Sequence, residues 1–253
     1  SSINENYSYK MTYDSKDLFK LAVKILTENN VNYWVCHGTL LGIIRDNEIL
    51  PWDHDVDFAV WDDEFSKKDI IKIFSNDERF KQKAVLEKMN SLHFSIKNSE
   101  DKRLDINFYS RDKNKAFIKW AILSSGLLPK IYNFCLNSIA SDISLRKIIK
   151  SKNGIIIQFI KFLISFPLIL IRYILPKRLK KLLNKDSFKK YDFVGYSFPV
   201  GLMKNKKMKF LDVDISVPVN SEEVLRNTYG ENWRIPKKDY IWYKDAKNIL
   251  HLN

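Results

Sequence analysis

The sequence contains few of the residues that build cross-linked, fibrous or secreted proteins. Its two cysteines, Cys36 and Cys135, cannot form a disulfide framework, and no Cys/His spacing resembles a zinc site. Seven glycines and seven prolines exclude a collagenous or low-complexity chain. The first residues show no basic stretch followed by an apolar one, so we expect no signal peptide. Together these absences favour a globular protein of a reducing compartment, and we expect it in the cytoplasm.

The chain does contain enough apolar side chains for a substantial core. Its 253 residues are 45% hydrophobic and 13% aromatic, which excludes disorder as the main state. This length suits one substantial domain, or one domain with an appendage. We therefore predict a single catalytic domain over residues 1–253, with a helical insertion at about 116–190.

Positive charge is in excess and unevenly distributed. The chain has 43 Lys and Arg against 30 Asp and Glu, a net charge of +13. Such a balance favours anionic partners such as phosphates, nucleotides, nucleic acid or an acidic membrane surface. Acidic residues concentrate between Asp46 and Asp69, whereas the stretch from Lys177 to Lys209 holds eleven basic residues and two aspartates. The sequence therefore predicts an acidic site and a basic surface.

The first half of the sequence alternates between helix and strand patterns. Apolar residues at helical spacing predict a helix over 15–30, for which Ser15 is a suitable N-cap. This order predicts an α/β (α+β) fold in which helices flank a mixed β-sheet. The other expected elements are strands at 33–36, 56–60, 92–97 and 104–109, helices at 39–45 and at 62–75 (capped by Asp62), and loops at 76–91 and 110–116.

A long apolar run covers residues 155–175 and is followed by basic residues at 177–181. It is long enough to cross a bilayer, which takes about 20 residues. Against a span stand Lys161 and Arg172, because a basic residue near the centre of a span costs about 2.5–3.5 kcal/mol. Apolar and basic residues side by side are typical of a segment that lies at an anionic leaflet. We therefore predict that 155–181 faces a membrane or the acceptor, with a buried core segment and a true span as alternatives.

Paired carboxylates are the strongest chemical signal. Asp55 and Asp57 fall at the start of a predicted strand, where side chains two residues apart point to the same face. Unpaired like charges so close together raise a pKa and require a cation. Mg²⁺ suits such a site, with Mn²⁺ as an alternative, because it binds through one or two carboxylates and substrate phosphates. Asp105 would be a third acid if its strand pairs beside the first, and such a set supports phosphoryl transfer.

A predicted turn that opens a helix precedes these acids. Gly38 and Thr39 would present backbone N–H groups and a hydroxyl to a phosphate, and Arg45 would add a charge-assisted contact. Each feature alone has an ordinary explanation. An acid pair is common on solvated turns, Arg45 would also neutralise neighbouring acids, and His37 and His54 are more readily structural than metal-binding. Their succession within one short stretch favours the phosphate-binding interpretation.

Two motifs of the chain resemble the LicD/fukutin family. The first is His-Gly-Thr-Leu-Leu-Gly-Ile-Ile-Arg at 37–45, followed by Ile-Leu-Pro-Trp-Asp-His-Asp-Val-Asp at 49–57. The resemblance covers about residues 15–110 and 190–240, and it implies a nucleotidyltransferase fold with phosphotransferase activity. The second motif consists of Val-Pro-Val at 217–219, Glu-Val-Leu-Arg at 223–226, Tyr-Gly-Glu-Asn-Trp at 229–233 and then Pro236.

The resemblance implies both a reaction and the residues that perform it. Family members transfer a phospho-alcohol group, such as phosphocholine or ribitol phosphate, from a CDP-activated donor to a sugar hydroxyl. Bacterial members decorate lipopolysaccharide, capsule or teichoic acid. The matched positions are the metal-binding pair Asp55 and Asp57, the preceding acid Asp53, the turn Gly38 and Thr39 that faces substrate phosphate, and the strand acid Asp105, our candidate general base.

The expected partners follow from this resemblance and from the charge distribution. They are a CDP-alcohol donor, a glycan or lipid-linked glycan acceptor, and an anionic membrane surface, namely the inner face of the cytoplasmic membrane. We expect no nucleic acid, because the basic residues cluster beside the apolar run instead of interleaving with aromatic ones. The alternatives are true nucleotidyl transfer and, more distantly, a non-enzymatic nucleic-acid-binding or membrane scaffold protein.

The second motif has two interpretations. Tyr229, Trp233 and Pro236 either end a helix at about 221–229 and pack it on the core, or they contact the substrate. Ser221 is the predicted N-cap of that helix.

Overall fold

The computed structural model describes residues 12–83, 89–124, 126–140, 167–168, 170–183, 190–237 and 239–252. These residues form two compact units. One comprises residues up to 120 together with 194–252, and the other lies within 121–193. A catalytic domain with a helical insertion at 116–190 stays a prediction, although residues 116–123 are strand and not helix.

Helices and strands alternate along the first half of the chain, as the sequence predicted. The helices are α1 (Ser15–Glu28), α2 (His37–Asp46), α3 (Lys67–Ser75), α4 (Leu127–Ala140), α5 (Lys177–Leu183), α6 (Ser221–Tyr229) and the short α7 (Trp242–Asp245), with a 3-10 turn at Val200–Met203. The strands are β1 (Tyr33–Val35), β2 (Asp55–Trp61), β3 (Phe80–Gln82), β4 (Ser91–Ile96), β5 (Ser99–Asp112), β6 (Lys115–Leu123), β7 (Tyr191–Pro199), β8 (Asn205–Phe210), β9 (Val213–Pro218) and β10 (Ile249–Leu252).

The main sheet is mixed, with the strand order β1-β2-β5-β6-β7-β10, and β4 pairs with both β3 and β5. β5 pairs in parallel with β2 and antiparallel with β4. β8 and β9 form a separate two-stranded sheet. The predicted α/β fold with a mixed sheet flanked by helices is therefore confirmed.

Helix α1 covers the sheet with an apolar face. Leu18, Ala22 and Leu26 are fully buried, and the Phe19 ring stacks on Phe58 of β2 at 5.3 Å between ring centroids. Such packing fixes β2 against the core, because interiors are packed as densely as organic crystals. The first residues of β2 are thereby held in a defined position.

Several local predictions were wrong. The N-cap of α1 is Asp14 and not Ser15, and α3 begins after Ser66 and not at Asp62. Both helices start with a capping box, in which the cap side chain and an aspartate three residues on bond each other's backbone N–H. The N-cap of α6 is Asn220, with Ser221 as the first helical residue.

Two predicted loops contain strand residues. β3 lies within 76–91 and pairs with β4. β5 continues to Asp112, and β6 begins at Lys115, so the predicted loop at 110–116 is a tight hairpin. Residues 195–199 belong to β7, which lies between β6 and β10.

Much of the predicted apolar segment lies outside the described residues, namely 155–166 and 169. Its described part is helical over 170–174 and continues into α5. Within the described chain, every helix is too short or too polar to cross a membrane.

Candidate active site

Parallel pairing of β2 with β5 brings the predicted acids together. Asp57 lies opposite Asp105, and Asp55 lies opposite Arg103. On the other side of β5, His93 of β4 lies opposite Asp105. Because alternate side chains of a strand share a face, these five residues lie on one face of the sheet.

The five side chains line an open cleft with a volume of about 810 Å³. The cleft also receives Gly38, Arg45 and Asp53, so all but one of the predicted site residues border it. The exception is Thr39, which is buried behind the acids. The structure therefore assembles the predicted site from residues that are up to 67 positions apart, from Gly38 to Asp105.

Asp53 and Asp55 act as a hydrogen-bonded acid pair. Burial and the hydrogen bond and charge of Asp55 raise the pKa of Asp53 to about 8. Burial alone would raise the pKa of Asp55, but the hydrogen bond with Asp53 and the charge of Arg103 outweigh burial and lower it. Arg103 also donates a hydrogen bond to Asp55. At neutral pH without metal, Asp53 therefore holds the proton and Asp55 carries the charge.

Of the three aspartates Asp53, Asp55 and Asp57, Asp57 is the most buried. Its backbone N–H donates to the Thr39 hydroxyl at 2.8 Å, and the Asn107 amide donates to its carboxylate at 3.2 Å. Burial, followed by the charges of Asp55 and Asp105, raises the pKa of Asp57 well above its usual range. The site thus holds more negative charge than Arg103 compensates.

This excess of negative charge fits a divalent cation. The described residues contain no group of three or more His, Cys, Asp or Glu side chains arranged to hold a metal by themselves. Mg²⁺ does not need such a group, since one or two carboxylates suffice where phosphate oxygens and water complete its coordination. Asp55 and Asp57 are therefore suited to hold Mg²⁺ together with a substrate phosphate.

Three polar neighbours of the acids were not predicted. His93 Nδ1 lies 2.6 Å from Asp105 Oδ1, and Arg103 Nε lies 2.7 Å from the same oxygen. Asn107 bonds Asp57, as described above. The alternation Leu92-His93-Phe94 places His93 on the polar face of its strand, but only the pairing register shows that this face meets Asp105.

The predicted phosphate-binding turn opens α2 and is occupied in part by Asp53. A Cβ atom on Gly38 would lie 2.6 Å from Asp53 Oδ2, so a glycine is required for this close approach. Arg45 forms a bidentate ion pair with Asp46, with contacts of 2.7–3.0 Å. Its guanidinium is therefore already compensated at the edge of the cleft.

Aromatic rings form much of the remaining cleft wall. Trp120 lies 5.0 Å from Tyr196 and 5.3 Å from Trp242, and Tyr229 lies 5.0 Å from Tyr240, between ring centroids. Aromatic faces of this kind can stack on a base or a sugar and can bind a cationic group. The wall therefore offers a surface for the organic part of a substrate.

The second sequence motif ends a helix and packs on the core, as one interpretation predicted, and its contact with a substrate stays a prediction. Trp233 is 3% exposed and packs into the protein, while Gly230 ends α6 with a φ of +87°. Tyr229, Trp233 and Pro236 all line the cleft. The motif thus ends a helix and also forms part of the cleft wall.

His37 begins α2 with a left-handed φ of +53°. Its ring packs against Tyr109, Trp120 and Tyr196, and its Nε2 is buried without a hydrogen-bond partner. Burial lowers its pKa to about 4, against the opposing charge of Asp55. His37 is therefore neutral near pH 7, in agreement with a packing role.

Comparison with known proteins places this site in a family. Residues 30–127 match the family described as LicD/FKTN/FKRP, nucleotidyltransferase domain. This stretch contains every acid of the cleft. Over this stretch the match confirms the resemblance to the family that the sequence showed.

Similar proteins include a transferase and a protein without an assigned role. The Ribitol-5-phosphate transferase FKTN of Macaca fascicularis is 23% identical over 236 residues, 93% of this chain and 36% of that protein. An uncharacterized protein of Rickettsia typhi is 31% identical over 109 residues, 43% of this chain and 32% of that protein. The chain spans about a third of the length of these relatives.

A solved structure also resembles the chain. The crystal structure of ANT(2")-Ia in complex with adenylyl-2"-tobramycin covers 66% of this chain and 92% of its own, with 12% identity and a TM-score of 0.32. This similarity is too low to carry an argument.

Proposed function

We propose that the protein is a Mg²⁺-dependent transferase that moves a phospho-alcohol group from a CDP-activated donor to a sugar hydroxyl of a cell-surface glycan. The observation that carries the proposal is the meeting of Asp55, Asp57 and Asp105 in one cleft of a LicD/FKTN/FKRP domain. Mg²⁺ held by Asp55 and Asp57 would neutralise the diphosphate of the donor.

The reaction requires one proton transfer and one exchange at phosphorus. Asp105 accepts the proton of the sugar hydroxyl, whose oxygen forms a bond to the transferred phosphorus. The bond from phosphorus to CMP breaks, and CMP leaves with the electron pair. His93 and Arg103 hold the Asp105 carboxylate in place by contacts of 2.6 and 2.7 Å.

Ribitol phosphate is the first candidate for the transferred group, because a relative that matches 93% of this chain is named a ribitol-5-phosphate transferase. Phosphocholine is the second candidate, since the aromatic wall suits a quaternary ammonium group. Lipopolysaccharide, capsule or teichoic acid would supply the acceptor sugar. A lipid-linked acceptor would bring the enzyme to the inner face of the cytoplasmic membrane.

A second candidate function is nucleotidyl transfer, in which a nucleoside monophosphate is placed on a small molecule or glycan. The description of the matched domain as a nucleotidyltransferase domain favours it. The same acids serve both reactions, because only the transferred group differs. The released product distinguishes them: CMP in the first case and pyrophosphate in the second.

Replacement of Asp55 by alanine tests the role of the acid pair. We expect Asp55→Ala to abolish turnover, because the substitution removes one of the two proposed metal ligands. The protein should stay folded, because the Asp55 side chain lies at the cleft surface. The matched control is Asp101→Asn, which changes an exposed aspartate of the same β5 strand that carries Asp105. Retention of more than about a tenth of the wild-type rate by Asp55→Ala would contradict the metal-binding role.

A thermal-shift screen tests the donor. Wild-type protein is heated with Mg²⁺ and CMP, CDP, UDP, ADP or GDP, and each mixture is repeated with EDTA. A metal-dependent rise in Tm with cytidine nucleotides alone is the expected result, because a ligand that binds only the folded state stabilises it. A rise with another base would reject the CDP donor while leaving the fold assignment intact.

A further inference from the structure

Residues 170–183 form an exposed surface that combines apolar and basic side chains. It consists of helical residues 170–174 and of helix α5, joined by a two-residue connection. We refer to it as the basic–apolar surface. It lies in the unit within 121–193 and contains none of the cleft residues.

Large apolar side chains are unusually exposed on this surface. Tyr173 and Ile174 are 82% and 83% exposed, values that are ordinary for charged side chains. Contiguous apolar exposure of this kind marks a contact with another molecule or phase. The other large exposed apolar residues of the surface are Leu170, Ile171, Leu179 and Leu182.

Helix α5 is amphipathic, and both of its faces are accessible. Successive residues of a helix are turned by about 100°, so Lys177, Lys180 and Lys181 share one face and Leu179 and Leu182 share the opposite one. The helix contains no buried residue. An apolar helix face that is exposed beside a basic one is the pattern of a helix lying in a membrane interface.

The charge of the surface selects an anionic partner. Residues 170–183 include five basic side chains and no acidic one. A lipid bilayer accepts any apolar face beside basic groups, whereas a protein partner requires a shaped pocket. Each basic residue near an anionic membrane contributes to binding, and insertion of apolar side chains adds to it.

We propose that the basic–apolar surface docks the protein on an anionic lipid bilayer, with Tyr173 and Ile174 entering the headgroup region and the basic side chains approaching lipid phosphates. The inference deepens the proposed function, in which the acceptor is lipid-linked, but it does not depend on phosphotransfer. Vesicle binding and turnover are measured separately, so each can fail without the other.

The test is flotation of the full chain with phosphatidylcholine vesicles and with vesicles that also contain phosphatidylglycerol. We expect clear binding only to the second kind. The double variant Lys180→Gln/Lys181→Gln removes two charges and should bind about 30-fold more weakly. The matched control, Lys204→Gln/Lys206→Gln, removes two exposed lysines at and beside β8 and should bind like wild type.

A second variant tests the apolar contribution. Ile174→Asp should lower vesicle binding without unfolding the protein, because a side chain this exposed contributes little to the core. Circular dichroism checks the fold. Absence of binding to both vesicles, or wild-type binding by both surface variants, overturns the proposal. A lipid-free dimer that Ile174→Asp dissociates overturns it too, since the surface would then bind a second copy of the chain.

Discussion

Asp105 is held in one orientation by two side chains that come from different parts of the sheet. His93 reaches it from β4, and Arg103 lies two residues before it on β5. Both contacts are made to Oδ1. A carboxylate fixed in this way loses little entropy when it takes part in a reaction, which is the benefit of a preorganised site.

Two substitutions compare Asp105, the proposed proton acceptor, with its neighbour His93. We expect Asp105→Asn to lower kcat by about a hundredfold or more, the usual contribution of a general base, and His93→Gln to lower it by about tenfold. His251→Gln, an exposed change on β10, is the control. A larger loss of kcat in His93→Gln than in Asp105→Asn would contradict the assignment of the proton acceptor to Asp105.

The sequence was sufficient to locate the acids but not their polar neighbours. Asp55 and Asp57 are two residues apart on one strand, so their shared face follows from strand geometry alone. His93, Arg103 and Asn107 contribute through pairing between strands, and the register of that pairing depends on the whole packed sheet. Arg45 pairs with Asp46, in agreement with the ordinary explanation given for it, while its contact with a phosphate stays a prediction.

At the scale of elements, the start of α2 positions the acid pair. Gly38 permits Asp53 to lie against the helix, and Thr39 receives the N–H of Asp57. Gly42 is also required, since a Cβ atom there would lie 2.5 Å from the Glu48 carbonyl oxygen. One short helix therefore sets both the turn that follows it and the acids that begin β2.

We expect Gly38→Ala to impair activity more than stability. The added methyl group meets the end of the Asp53 side chain, which can move, so the free energy of unfolding should change by less than about 1 kcal/mol. The displaced carboxylate should lower kcat by about tenfold or more. Gly201→Ala has open space around its Cβ and is the control, whereas Gly42→Ala meets backbone and should lower Tm. An active Gly38→Ala enzyme would show that the position of Asp53 is unimportant.

Element types were predicted well, and element ends were not. Apolar periodicity identified α1 and β2, because burial of a face dominates their free energy. The ends depend on single capping bonds, such as that of Ser66 with Asp69, which compete with several equally good candidates nearby. Short strands such as β3 gain their stability from pairing and leave little signal in the sequence.

At the scale of the whole molecule, the predicted separation of charge is visible in the structure. Asp53, Asp55 and Asp57 face the cleft, while exposed lysines line β8 and α5. A cleft rich in carboxylates within a protein of net positive charge would draw cations and leave loosely bound anions at the basic residues outside it. The proposed anionic donor would then need the proposed metal to enter the acidic cleft.

Folding stability should fall in weak acid because of His37. Its pKa is about 4 in the folded protein and about 6.5 when unfolded, so the unfolded chain binds more protons between these values. Stability is unaffected above about pH 6.5, decreases as the pH falls towards 4, and loses up to about 3 kcal/mol in total. Chemical denaturation across this range should show a shallower decrease for His37→Asn, since asparagine accepts the left-handed φ and does not titrate. The same pH dependence in both proteins would contradict this prediction, because it would mean that the pKa of His37 is alike in the folded and unfolded protein.

The pairing register between β2 and β5 determines both the packing of the core and the position of the acids. Leu104 and Ile106, on either side of Asp105, are completely buried, so the same alternation that fills the core also places Asp105 opposite Asp57. A deletion of one codon early in β5 would turn every following side chain to the other face and destroy core and site together. Selection that preserves a folded protein therefore also preserves the spacing of its acids. A variant that folds but has lost its activity is expected from a substitution in this strand and not from a change in its length.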